Sequence, residues 1–264
     1  MNEENQVYFV DSDQLPPAAL ERKHRLEQDP SFRTNHMEYM KGMQIIGSDI
    51  KEKVLKAMDA YDYDVYTAAD VERALSNESC SIEDFKALLS PAAAPYLEQM
   101  ARNAEEITKN HFGNTVYIFT PLYIANYCQN YCIYCGFNCY NNIRRKKLTL
   151  EETEHEMQVI AKTGMEEILI LTGESRKYSD VKYIGEAVKI ARKYFRNIGI
   201  EIYPVNVDEY KYLHECGVDY VTVFQETYNT DKYETLHLMG HKRIFPYRFE
   251  AQERALMGGM RGVG

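Results

Sequence analysis

The sequence has no apolar run near the roughly 20 residues that a membrane-spanning helix needs, and its opening Met-Asn-Glu-Glu-Asn lacks the charged-then-apolar layout of a signal peptide. Both absences point to a cytoplasmic protein with no membrane partner. Excess positive charge is missing too: the formal net charge is −9, whereas binding to a phosphate backbone relies on clustered Lys and Arg. The one basic run, Arg144-Arg-Lys-Lys147, is short and reads as a solvated approach to a helix, so no nucleic-acid partner is expected. Six cysteines in 264 residues are too few for a disulfide scaffold, and a reducing compartment keeps clustered thiols free for metal.

What the chain does have is 45% apolar residues, enough for a large core in one barrel-sized domain or two smaller ones. It also has three cysteines within eight residues, Cys128, Cys132 and Cys135, directly after the apolar stretch Val116–Ala125. One loop can aim three such thiolates at a single point, as an iron–sulfur cluster or a zinc ion requires.

Residues 1–47 show weak periodicity, with Pro16-Pro17 and Asp29-Pro30, and read as an exposed, mostly irregular lead-in holding one short helix. Residues 48–113 read as a helical N-terminal region. Ser48 caps a helix with Ile50, Val54, Leu55 and Met58 on one face, and Thr67 with Asp70 and Ser81 with Asp84 form capping boxes. Ser90-Pro91 starts a longer helix with the stripe Leu97, Met100, Ala101, Ala104 and Ile107, ended by Gly113. Cys80, lying alone, is structurally incidental.

From residue 114 to 264 strands and helices alternate. Strands are expected at Val116–Ala125, Glu167–Leu171, Ile198–Tyr203 and Val218–Phe224. Helices are expected from Thr149-Leu-Glu-Glu152 to Gly164, around Ile184, Val188, Ala191 and Phe195, at 207–216, at about 230–238 and around 250–257, with Pro246 in an irregular stretch. Such alternation implies an α/β fold with a parallel sheet and right-handed crossovers, open or closed as a barrel. Chemistry then collects at the carboxyl ends of the strands. The unusual residues lie at those ends: the cysteines after the first strand, Gly173 and Glu174 after the second, Glu201 late in the third, and Gln225, Glu226 and Tyr228 after the fourth.

Three thiolates leave one iron of a four-iron cluster open to a ligand. Adding Cys139 would instead make a closed four-cysteine zinc set, which would suit a zinc-stabilised, non-catalytic binding module. The Cys128, Cys132, Tyr134 and Cys135 pattern resembles the signature of radical S-adenosylmethionine (SAM) enzymes. Further matches extend over roughly residues 38–264: Leu88-Leu-Ser-Pro-Ala, Pro121-Leu-Tyr-Ile, Leu171-Thr-Gly-Glu174, Ile200-Glu-Ile-Tyr-Pro204 and Phe224-Gln-Glu-Thr-Tyr228 are similar to the radical SAM tyrosine lyases of the 2-iminoacetate synthase family of thiamine biosynthesis.

That resemblance implies a TIM-type radical SAM barrel. It implies a [4Fe-4S] cluster held by Cys128, Cys132 and Cys135, and SAM bound by Tyr134 (against the adenine), Gly173 and Glu174 (at the amino group) and Glu201. Cys139 is no ligand in the pattern. Gln225, Glu226 and Tyr228 match a family signature and are candidate substrate residues, and His237 and Arg248 could also serve the substrate, although lone residues of these types are more often surface or packing groups.

The implied reaction cleaves SAM to methionine and a 5′-deoxyadenosyl radical, and breaks the Cα–Cβ bond of L-tyrosine to give 2-iminoacetate (dehydroglycine) and p-cresol. The cluster and SAM carry the chemistry, so no side chain is singled out as catalytic. Implied partners are thiazole synthase and an electron donor such as flavodoxin or ferredoxin. A related family, the tyrosine lyase of [FeFe]-hydrogenase maturation, is the nearest alternative. The family barrel continues past the point where this sequence stops, so a partial barrel is expected: four strands and the start of a fifth.

Overall fold

The computed structural model describes residues 15–264. It divides into two compact units, Glu52–Tyr117 and the remainder.

The helical unit contains most of α2 (Ile50–Asp59), with α3 (Ala68–Ser76), α4 (Ile82–Leu89) and α5 (Leu97–Phe112). Both expected capping boxes form, the Thr67 N–H donating to Asp70 at 2.9 Å and the Ser81 N–H to Asp84 at 3.0 Å. Val71, Ala74 and Ala87 are the buried apolar residues of α3 and α4. Two expectations fail here. The helix anticipated from Pro91 is a 3₁₀ stretch, Pro91–Tyr96, and α5 starts only after it. Pro95 explains this, because it has no N–H to give an α-helical turn. The predicted stripes of α2 and α5 contain no buried residue, and Leu97 and Ile107 are well exposed. An apolar stripe selects a helix face, but burial also needs a facing surface.

In the other unit, β1 (Thr120–Ala125) is shorter than expected, and Val116–Phe119 are exposed. Its pairing with the next sheet strand begins at Thr120 opposite Ile168, so earlier residues have no neighbour to bond. The two-residue β2 (Tyr131–Cys132) lies in the cysteine loop. Then come α6 (Leu150–Ala161), β3 (Glu167–Thr172), α7 (Val181–Ala191), β4 (Asn197–Glu201), α8 (Val207–Cys216) and β5 (Tyr220–Val221). They are followed by α9 (Thr230–Leu236), β6 (His237–Met239), α10 (Phe245–Phe249), α11 (Ala251–Met257) and β7 (Gly262–Val263). Pro246 falls in the first turn of α10, a position that tolerates proline, rather than in irregular chain.

The five-stranded sheet is parallel with the sequential order β1-β3-β4-β5-β7, the connectivity of a partial α/β barrel. Although β5 is short, extended bonding continues past it, the Val223 N–H reaching the Gly264 carbonyl at 2.9 Å. β3 is buried along its whole length. Its Ile168 and Ile170 join Ile198 and Ile200 of β4 under Ile184, Val188 and Ala191 of α7, with Phe195 just beyond that helix.

Residues 15–47 hold one α-helix in otherwise mostly irregular chain, and they also bond to distant parts of the sequence; residues 1–14 of the expected lead-in lie outside the described residues. α1 (Pro17–Gln28) buries Leu26 against Tyr131, Tyr140 and Leu238, and Glu27 accepts a hydrogen bond from the Tyr131 hydroxyl. Further on, the Phe245 N–H donates to the His36 carbonyl at 2.9 Å, and Tyr39 donates to Glu250 at 2.7 Å. The Gln44 N–H donates to Asn206 Oδ1 at 3.0 Å, and Gln44 Oε1 accepts from the Val207 N–H at 2.8 Å. Partners this distant in sequence leave no periodicity to read.

Gly217 ends α8 at φ 122°, and a Cβ there would lie 2.7 Å from Arg192 Cγ, whose guanidinium pairs with Asp219. Gly217→Ala is therefore expected to lower stability by about 1–3 kcal/mol, read as a reduced urea midpoint with an unchanged slope.

Candidate active site

The carboxyl ends of β1, β3, β4 and β5 surround one cavity of about 150 Å³. Cys128, Cys132 and Cys135 line it together with Gly173, Glu174, Glu201 and Glu226. β1 delivers the chain to Ala125 and the loop turns back at β2, which pairs antiparallel with β6. The loop is cross-bonded internally, the Cys139 N–H donating to the Asn130 carbonyl at 3.0 Å.

All six cysteines are free. Burial pushes the Cys128 thiol up, and that of Cys132 up to about 12. These thiols are neutral at pH 7, so a metal centre must displace their protons on binding. Among the described residues no group of three or more His, Cys, Asp or Glu is gathered tightly enough to hold a single metal ion. Instead three soft thiol donors share one cavity wall, a donor set suited to iron–sulfur chemistry. Cys139 faces elsewhere, packed beside Leu26, Tyr131, Tyr140 and Leu238.

Gly173 is where the loop after β3 meets the cysteine loop. A Cβ there would lie 2.2 Å from the Tyr127 carbonyl oxygen, so any side chain would force the two backbones apart. The contact is sealed by the Gly173 N–H to the Ala125 carbonyl at 2.8 Å and the Gln129 N–H to the Glu174 carbonyl at 3.0 Å. The Glu174 carboxylate accepts from Arg248 Nη1 and Asn130 Nδ2, each at 2.7 Å. Burial alone would raise its pKa, but the charges of Arg248 and Lys242 and the Asn130 bond outweigh burial and hold it below the ordinary value.

Glu226 has a left-handed backbone, φ 71°, rare for a residue with a side chain. It pairs with Lys242 at 2.7 Å. Glu201 lines the same cavity, and burial raises its pKa against the pull of Lys242 and Arg248. The cavity thus holds three carboxylates and two cations.

The remaining predicted residues are placed differently. Tyr134 is not part of the cavity wall; its hydroxyl lies 2.8 Å from His237 Nε2. His237 Nδ1 sits 2.8 Å from the Tyr233 carbonyl, which can only accept, so Nδ1 carries the proton and Nε2 accepts from Tyr134. Burial pushes the fully buried His237 down to about 4. Gln225 and Tyr228 line a second cavity of about 320 Å³, which shares Arg248 and Val223 with the first. The Gln225 amide is buried with neither polar atom bonded among the described residues.

Three site residues escaped the sequence. Asn130, between two of the cysteines, could have been flagged by position alone. Lys242, more than a hundred residues away, gave no signal. Arg145 lies in the run read as solvated, yet it is partly buried and donates to loop carbonyls. His237 and Arg248, named as residues that could serve the substrate, are both buried, and Arg248 lines the cavity.

Arg248→Met leaves the Glu174 carboxylate buried without its cation and is expected to cost about 3–5 kcal/mol, part of which adding Glu174→Gln recovers. Urea titration of the two single variants and the double variant reads this coupling. Because the folded pKa of Glu174 is depressed, its contribution is present above its ordinary pKa and is lost as pH falls through the lower folded value. The acid limb of the stability profile should flatten in Glu174→Gln.

With this geometry in place, similarity to known proteins is informative. The radical SAM superfamily pattern matches residues 122–263. The 2-iminoacetate synthase of Salmonella typhimurium is 41% identical over 198 residues, which cover 75% of this chain and 52% of the relative. The crystal structure of HydG, a maturase of the [FeFe]-hydrogenase, superposes with a TM-score of 0.75 at 30% identity, covering 82% of this chain and 50% of that one. Methylornithine synthase (PylB) superposes at 0.57 with 26% identity, covering 76% and 56%. The chain spans about half the length of the curated 2-iminoacetate synthases it matches. Enzymes of this superfamily use a [4Fe-4S] cluster and SAM, and on the strength of the match across more than half of its length the chain belongs to the radical SAM superfamily.

Proposed function

We propose that this chain carries the cofactor-binding part of a carbon–carbon lyase of the 2-iminoacetate synthase type, which splits L-tyrosine into 2-iminoacetate and p-cresol for the thiazole moiety of thiamine. The observation that carries the proposal is the sharing of one cavity by Cys128, Cys132 and Cys135 with the Gly173-Glu174 turn. The 41% identity to a 2-iminoacetate synthase supports the reaction class. When bound, the cluster and SAM supply an organic radical able to take a hydrogen atom from an unactivated substrate.

The chain's own residues then have the following roles. Cys128, Cys132 and Cys135 hold three irons as thiolates. Glu174, kept ionised by Arg248, would accept hydrogen bonds from the SAM ammonium group, and Gly173 lets the turn that carries it close against the cysteine loop. Glu201 would face the rest of the cofactor, and Tyr134, bonded to His237, is the aromatic position that would lie against the adenine. Glu226 and Lys242, with Gln225 and Tyr228 beyond Arg248, are on the substrate side.

Thiazole synthase as acceptor, flavodoxin or ferredoxin as reductant, and a cytoplasmic setting complete the proposal. No helix among the described residues is long and apolar enough to cross a membrane. The superposition on HydG favours a second possibility, a tyrosine lyase serving hydrogenase maturation.

Anaerobic cluster reconstitution followed by SAM, reductant and L-tyrosine tests the proposal, with 5′-deoxyadenosine, p-cresol and glyoxylate as readouts. Deoxyadenosine without p-cresol would remove tyrosine as substrate, and a colourless zinc protein would point to a binding module. Cys132→Ala is expected to abolish SAM cleavage, whereas Cys139→Ala should keep its iron. Iron loss in the second variant would restore the four-cysteine alternative.

A further inference from the structure

Arg145 makes four hydrogen bonds to carbonyl oxygens with one guanidinium group. Nη1 donates to Asn126 at 2.7 Å and to Phe137 at 2.9 Å; Nη2 donates to Asn138 at 2.7 Å and to Asn141 at 3.3 Å. Asn126 lies just before Cys128, and the other three lie just after Cys135. A single side chain therefore ties the entry of the cysteine segment to its exit.

The base of that side chain is itself fixed. Asn126 is bonded on both sides to the returning chain, its amide N–H donating to the Lys146 carbonyl at 3.1 Å, its side-chain oxygen accepting from the Lys146 N–H at 2.7 Å and its Nδ2 donating to the Arg144 carbonyl at 2.9 Å. One residue further along, Lys147 bridges antiparallel to Ala125. Arg145 is thus anchored to the edge of β1 and reaches inward over the loop that β1 leads into.

We infer that Arg145 is a positioning residue that closes the segment from Asn126 to Asn141 into a ring and so holds Cys128, Cys132 and Cys135 in one cavity wall before any metal is bound. The inference rests on the assignment of those three cysteines as cluster ligands. Four carbonyl dipoles pointing at one spot repel one another and need a multidentate donor between them. The planar fork of arginine can serve all four, whereas a lysine ammonium is a compact point charge with three donors. Closing the loop in advance also removes conformational entropy that cluster binding would otherwise have to overcome.

The test compares the 264-residue chain with Arg145→Ala and Arg145→Lys, with and without millimolar guanidinium. In the metal-free proteins, amide hydrogen exchange is read at Asn138 and Cys139, whose N–H groups are bonded to Cys135 and Asn130. Arg145→Ala should speed exchange there by about tenfold or more while β3 and β4 exchange as in the wild type. Arg145→Lys should be intermediate, and guanidinium should restore protection in the alanine variant.

After anaerobic reconstitution, iron content and the EPR signal of the reduced protein should follow the same order, including the rescue. Loop exchange and iron content equal to wild type in both variants overturn the inference. So does exchange that rises evenly over sheet and loop, since that marks a general loss of stability. Should the alanine variant not fold, the lysine variant decides on the same readouts. A wild-type chain that takes up no iron overturns the cluster assignment, while the exchange pattern still decides whether Arg145 holds the loop.

Discussion

Three distant parts of the chain converge on the carboxylate of Glu174. Asn130 reaches it from the cysteine loop and Arg248 from α10, and β3 delivers the glutamate itself. A buried carboxylate without a cation would take up a proton rather than remain charged. Its ionisation therefore depends on Arg248, and the positions of α10 and the cysteine loop depend in turn on meeting it. The backbone contact at Gly173 adds a steric condition, because the two loops can approach this closely only where one of them has no side chain.

The charges around the cavity are arranged in pairs. Glu174 meets Arg248 and Glu226 meets Lys242, while burial leaves Glu201 with a raised pKa. The cavity thus holds charged groups in pairs and leaves neither Glu174 nor Glu226 without a cation in a region of low dielectric. Burial keeps the thiols of Cys128 and Cys132 neutral, so they would contribute negative charge only once metal replaced their protons. The loop is held from several sides: β2 pairs with β6, Leu26 of α1 packs on Tyr131 and Tyr140, and Arg145 joins the loop's two ends. Such support is what a site needs when the order of its donors must precede the arrival of its cofactor.

The sequence alone determined those features that depend on local physics. Capping boxes at Thr67, Ser81 and Thr149 placed helix starts, glycines at 113 and 217 placed helix ends, and apolar runs placed β3 and β4. The strand–helix alternation carried the parallel sheet with it, and the spacing of three cysteines after the first strand marked the candidate site. All of these are short-range properties, governed by hydrogen bonds or side-chain periodicities within a few residues.

Only the tertiary structure decided which side chains complete the site. Lys242, Arg248 and His237 come from a segment about a hundred residues beyond the cysteines, and Gln225 and Glu226 turn into different cavities although they are neighbours. Arg145 looked solvated because a basic run is ordinarily hydrated, and the four carbonyls that desolvate it become its partners only once the loop has folded. The apolar stripes of α2 and α5 failed for the converse reason: periodicity selects a face, whereas burial depends on what comes to lie against it. Non-local contacts of this kind are set by chain topology, and topology is a property of the folded chain that no window of sequence contains.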